Sequence, residues 1–181
     1  IVDFAVYASF FPTLIQGPIT RFNEIKDSIH AGNPITYQNL KFGSQRILFG
    51  LMKKMIIADR LDPAVSKICT SYTQDWLFSL IGAVLCTIQL YMDFSGIVDI
   101  CLGSAEIFGI KLPENFRQPF FAENASDFWR RWHITLGTFL RDYVFYPISL
   151  AKPTRSLSKF FTKHFGKAAG KFIGPFIALI A

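Results

Sequence analysis

The sequence predicts an all-α integral membrane protein, and three observations carry that reading. Of its 181 residues 51% are hydrophobic and 16% aromatic, and mean hydropathy is +0.31, too apolar for an ordinary soluble domain. Residues 4–20 and 76–92 carry no charge, and each stretch meets the ~17-residue lower limit for crossing a ~30 Å hydrocarbon core. Nowhere does a period-two alternation mark a strand.

Taken in order, residues 4–20 form a candidate spanning helix that Gln16-Gly17-Pro18 ends or kinks. Residues 21–75 mix charges, and Asn33-Pro34 marks a turn. Residues 43–60 read as a helix interrupted by Arg46, Lys53 and Lys54, which suits the interface or a protein-lined interior better than lipid. The stretch 76–92 is the stronger span, bounded by Asp75 and Asp93 with Trp76 and Tyr91 at interfacial positions. Residues 95–110 then continue as a further helix, with Ser95 as N-cap and Asp99 and Glu106 on one face.

Pro113 and Pro119 make residues 111–121 irregular, which at membrane depth is tolerated only against protein or water. Residues 126–143 read as a helix capped by Ser126 or Asn124, with Asp127 in its first turn. Phe128, Trp132, Leu136 and Leu140 run down one face of it, and Trp129, His133 and Gly137 down the next. Finally, Arg155, Lys159, Lys163, Lys167 and Lys171 oppose Leu157, Phe161, Phe165, Ala168 and Phe172, the pattern of an amphipathic helix at residues 155–171 lying in the membrane surface.

Net charge is +6, and the run from Lys152 to Lys171 contains no acid. Flanked by apolar segments, such a run fits the anionic inner leaflet on the cytoplasmic side better than nucleic acid, which is not expected as a partner. Cys69, Cys86 and Cys101 share no paired or metal-ligand spacing and read as packing residues. Without a catalytic triad, a glycine-rich phosphate loop or a metal-ligand cluster, hydrolytic, nucleotide-driven and metal mechanisms are disfavoured, and no metal or bound cofactor is expected. The chain opens at Ile1 and closes within an apolar run, so residues 1–181 read as one internal fragment of a larger membrane domain.

The chemistry concentrates in Asp93-Phe94-Ser95-Gly96, Pro113-Glu114-Asn115-Phe116 and Asp127-Phe128-Trp129-Arg130-Arg131-Trp132-His133-Ile134. Charged groups between membrane-compatible segments are costly and usually have a task. His133 is the one candidate base there that titrates near neutrality, its alternative being a hydrogen-bonded packing residue on an aromatic face. Arg130 and Arg131 suit an anionic donor, or else pair with Asp127 or Asp142 and snorkel to headgroups. Asp93 and Asp99 line a polar cavity or bind a cation, or Asp93 merely bounds one helix and caps the next.

These motifs, together with Phe10-Phe11-Pro12-Thr13-Leu14-Ile15-Gln16-Gly17-Pro18-Ile19-Thr20-Arg21 and Leu140-Arg141-Asp142-Tyr143, resemble the membrane-bound O-acyltransferase family in its bacterial alginate O-acetyltransferase branch. The resemblance covers roughly residues 10–150. It implies a polytopic membrane protein with transmembrane, re-entrant and interfacial amphipathic helices around a funnel, multi-pass in the bacterial plasma (inner) membrane. It implies an acyl donor, acetyl-CoA or another acyl thioester or an acyl-carrier protein, on the cytoplasmic side and a glycan hydroxyl outside as acceptor. His133 corresponds to the first of two histidines in this branch; the second, taken as the base, falls beyond residue 181, so the resemblance makes His133 an active-site residue. Arg130 and Arg131 then steer the donor or fix their helix, and Asp93, Ser95 and Asn115 line the polar route. D-alanyl transfer to teichoic acid from a carrier protein is the alternative chemistry, and a transporter or channel lined by Asp93, Asp99 and Glu106 is the alternative outside the enzymes.

Overall fold

The computed structural model describes residues 2–14, 16–30, 34–70, 76–167, 171–172 and 175–176, and among them the regular elements are all helical. Asn33 of the expected turn and Ala168 of the expected basic helix lie outside the described residues. The chain forms two compact units, Ile1–Arg117 and Gln118–Ala181.

The first unit opens with α1 (Val2–Ala8) and α2 (Phe11–Leu14). Neither can span, so the single helix expected over residues 4–20 does not form. Ser9 Oγ turns back to the Val6 carbonyl at 3.2 Å, and Pro12, which has no N–H to donate, starts a new turn. The Tyr7 hydroxyl donates to the Thr20 carbonyl at 2.6 Å and ties the segment back on itself. After α3 (Phe22–His30), Thr36 accepts from the Asn39 N–H at 3.1 Å and caps α4 (Tyr37–Leu51). This helix runs through a π-helical segment, Met52–Ala58, into α5 (Asp59–Thr70).

Next, α6 (Trp76–Ile107) runs unbroken for 32 residues. The helix boundary expected at Asp93–Ser95 is therefore absent, and Ser95 sits in mid-helix rather than as an N-cap. Nothing in the stretch forces a break, since it holds no proline and Gly96 is held tightly against α4. At 1.5 Å per residue the helix is about 48 Å long, and it is the one described helix long and apolar enough to cross a membrane. Its two halves differ in kind. Trp76, Leu77, Phe78, Leu80, Ile81 and Val84 present an exposed apolar surface, whereas Ser95, Gly96, Val98, Asp99, Leu102, Gly103 and Ala105 are buried.

What buries the second half is α4, packed antiparallel at a spacing only glycine permits. A Cβ on Gly43 would meet the Gly103 carbonyl oxygen at 2.6 Å, and one on Gly50 would meet the Gly96 carbonyl oxygen at 2.5 Å; the reciprocal positions are equally tight. The two glycines on each helix are seven residues apart, so both contacts fall on one face. Beyond Ile107 a Schellman turn closes α6: the Ile110 N–H donates to the Ala105 carbonyl at 3.0 Å, the Gly109 N–H to the Glu106 carbonyl at 2.9 Å, and Gly109 takes φ 71°. The turn folds residues 110–117 back along the helix without regular structure, as the prolines dictate.

The second unit begins with a 3₁₀ turn, Pro119–Phe121, and continues through α7 (Ala125–Arg131), α8 (Ile134–Leu140), a π-helical turn Arg141–Phe145, α9 (Tyr146–Leu150) and α10 (Lys152–Phe165). Asn124, one of the two expected caps, accepts from the Asp127 N–H at 2.9 Å. The helix expected over residues 126–143 is broken at its centre, because Trp132 is extended and His133 takes the left-handed conformation, φ 45° and ψ 55°. The face stripes drawn through His133 therefore do not exist. The basic helix α10 ends at Phe165, six residues before the expected end, with Gly166 at φ 90°; Lys167, Lys171 and Phe172 beyond it are again helical.

Candidate functional site

In the first unit the charged side chains form a ladder between α4 and α6. Arg46 donates from both terminal guanidinium nitrogens to Glu114, at 2.7 and 2.6 Å, and from its Nε to Asp99 at 3.2 Å. Asp99 takes Lys53 on its other oxygen at 2.7 Å, with both side chains nearly buried. The Lys53 ammonium also lies 4.6 Å from the centre of the Phe49 ring. Lys54 bridges Asp93 at 2.6 Å and Asp59 at 2.8 Å. The π-helical turn lets Lys53 and Lys54, adjacent in sequence, both reach acids on α6. Burial opposes the Arg46 charge, but the hydrogen bonds and charges of Glu114 and Asp99 outweigh it and raise its pKa, so the guanidinium is locked in its charged form.

The ladder fixes the Pro113–Phe116 segment. Glu114 is clamped by Arg46, and Phe116 lays its ring edge-on against Tyr91 at 5.6 Å and Phe94 at 5.0 Å. Between them Asn115 is completely buried. Of the three residues assigned to a polar route, Ser95 (3% exposed) and Asn115 thus sit in the protein interior, and the Ser95 hydroxyl has no hydrogen-bond partner among the described residues. Asp93 is the third, and it is ion-paired with Lys54. The carboxylates of Asp93 and Asp99, two of the three an ion path would use, already carry cationic partners.

His133, Arg130 and Arg131 belong to the second unit. His133 forms the hinge between α7 and α8 and is half-buried; histidine is one of the few side chains that tolerate φ > 0, and such conformations cost of order 1–3 kcal/mol and cluster at functional sites. Burial lowers its pKa below 6.5, so at pH 7 the ring is neutral, with one nitrogen protonated and the other in the acceptor form. Desolvation by burial produces this shift. Arg131 is drawn off to Asp127 at 2.8 Å, and Arg130 reaches back to the Ser126 carbonyl at 3.4 Å on an exposed surface. Phe128 stacks on Trp132 at 5.6 Å, and Phe120 meets Trp132 edge-on at 6.4 Å, an aromatic bed directly preceding His133.

Sequence reasoning missed Glu114 and the partners of Arg46 and Lys53. The signal was present: three cations within a helix that is otherwise apolar, and two aspartates six apart on a second one, are expensive unless they meet.

A model of the membrane-bound O-acyltransferase family matches residues 1–165. The chain is 41% identical over 157 residues to a peptidoglycan O-acetyltransferase of Helicobacter pylori, covering 81% of this chain and 28% of the relative. It is 40% identical over 152 residues to a probable alginate O-acetylase of Azotobacter vinelandii, covering 80% and 29%. A teichoic acid D-alanyltransferase of Bacillus subtilis is 35% identical over 139 residues, covering 75% and 35%. The chain thus spans under a third of the length of the two O-acetyl-transferring relatives.

Proposed function

The chain belongs to the membrane-bound O-acyltransferase family, and from that premise we propose that its protein moves an acetyl or similar short acyl group from a thioester donor onto the hydroxyl of an extracytoplasmic polysaccharide or cell-wall glycan. The donor, acetyl-CoA or an acylated carrier protein, approaches from the cytoplasm of a multi-pass bacterial inner-membrane protein. The observation that carries the reading is His133: a half-buried, neutral imidazole held in a strained backbone conformation at a helix break.

Chemically, the acceptor hydroxyl must lose its proton as its oxygen attacks the thioester carbonyl, and the thiolate leaves with that proton. An imidazole in the neutral form accepts it, or orients the histidine that does, a contribution of about 10²–10⁴-fold in rate. Arg131, fixed by Asp127, shapes the helix that ends at His133, and Arg130 is the cation that meets an anionic donor. The buried Ser95 and Asn115 supply polar groups in the membrane interior, and Asp93 holds Lys54 there. D-alanyl transfer is a second reading, favoured by the 35% identity to the teichoic acid enzyme and by the basic surface of α10, which suits an acidic carrier.

The test is His133→Asn in the full-length protein, because asparagine accepts the left-handed backbone while removing the titrating ring. Acyl transfer falls by about 10²–10⁴-fold, with expression and membrane insertion unchanged. Activity near that of wild type would return His133 to a packing role.

A further inference from the structure

Where the Schellman turn brings the chain back from the end of α6, a half-open cavity of about 220 Å³ is lined by Arg46, Leu102, Glu106, Ile110, Lys111 and Glu114, with Leu112 beside them. It is too small for a coenzyme or a drug-sized ligand, which need ~300–1,000 Å³. Two of its four charges are spent on each other, since Arg46 and Glu114 form the bidentate pair. The other two, Glu106 and Lys111, have no ion-pair partner among the described residues. One wall thus offers an open carboxylate, another an open ammonium, and Leu102, Ile110 and Leu112 are apolar between them.

We propose that this cavity holds the phosphoethanolamine head of a membrane phospholipid, its ammonium against Glu106 and its phosphate against Lys111. A primary ammonium supplies the hydrogen-bond donors a carboxylate needs, and the phosphate next to it in the same small head answers Lys111. Position favours a lipid over a soluble zwitterion. Glu106 stands in the last turn of the candidate span, and just after it Phe108 meets Phe11 edge-on at 6.0 Å, both exposed, with Leu14 exposed in the same short helix as Phe11. In a membrane-bound protein that apolar surface faces lipid, and the cavity opens beside it at the end of the candidate span.

The experiment reads the lipids retained by the full-length protein after reconstitution in nanodiscs of equal phosphatidylethanolamine and phosphatidylglycerol and mild detergent extraction. Wild type enriches phosphatidylethanolamine about threefold over the bulk ratio, as a partly exposed ion pair allows. Glu106→Gln brings the ratio back to bulk, Lys111→Gln lowers retention of both lipids, and Glu106→Lys inverts the preference towards phosphatidylglycerol. Because neither side chain holds another element in place, the Tm of each variant stays at the wild-type value. A bulk ratio in wild type, unchanged enrichment in Glu106→Gln, or displacement of the lipid by equimolar soluble phosphoethanolamine would overturn the assignment.

Discussion

Replacing Asp99 by leucine removes the anion shared by Arg46 and Lys53 and tests whether the ladder stabilises the helix pair. Arg46 keeps its bidentate partner Glu114, so the loss falls on Lys53, whose side chain is 12% exposed and has nowhere else to go. Stripping one partner from a buried pair costs about 3–5 kcal/mol. The Phe49 ring 4.6 Å from the ammonium is present before and after the change and offsets none of this. At about 2 °C per kcal/mol for a large domain, Tm of the full-length protein in detergent, followed by tryptophan fluorescence, drops by ~6–10 °C. The double variant Lys53→Met, Asp99→Leu removes both charges and returns to within about 1 kcal/mol of wild type, since an apolar replacement of a buried pair is near neutral. A single variant that melts like wild type, or a double variant as unstable as the single, would refute the reasoning.

Three further outcomes follow from the geometry. Because burial depresses the His133 pKa, the unfolded chain takes up a proton first as pH falls below 6.5; stability is level above that pH and declines below it, so Tm falls more steeply with acid in wild type than in His133→Asn, and equal slopes would contradict the desolvated ring. Gly96→Ala drives a Cβ to 2.8 Å from the Gly50 carbonyl oxygen and 3.2 Å from the Lys54 backbone nitrogen, costing about 1–3 kcal/mol, whereas Gly137→Ala, whose Cβ meets nothing nearer than 4.0 Å, leaves Tm unchanged or raises it. Single cysteines at Lys159 and Lys163, both exposed on α10, react with an impermeant maleimide in inverted vesicles and not in intact cells; labelling from outside reverses the proposed donor side.

Much of the framework was legible because it rests on local chemistry. The uncharged run from Trp76, the irregular course of residues 111–117 around Pro113 and the Asn124 cap all appear in the structure in kind. The errors share a cause. Asp93 and Ser95 look like a helix boundary in isolation, but Gly96 packs on Gly50 and Lys54 meets Asp93, so tertiary contact carries the helix through. The break at His133 has no glycine or proline to announce it, and only the backbone reveals that the residue lies at a corner. The missed pairing of Arg46 with Glu114 spans 68 residues, beyond the reach of any periodicity.

The paired glycines have a consequence for how these helices find each other. Gly43 opposite Gly103 and Gly50 opposite Gly96 work as a vernier: two marks coincide at one setting only. A slip of one heptad in either direction leaves a single glycine pair facing and drives the second glycine on each helix past a residue with a side chain, while Arg46 moves a full two turns from Asp99. A one-residue insertion between the two glycines of either helix, which turns everything beyond it by about 100°, would leave one pair facing and carry the other off the contact face. Alignment of α4 and α6 is therefore all-or-none, and the clamp on Glu114 can close only after that alignment is reached.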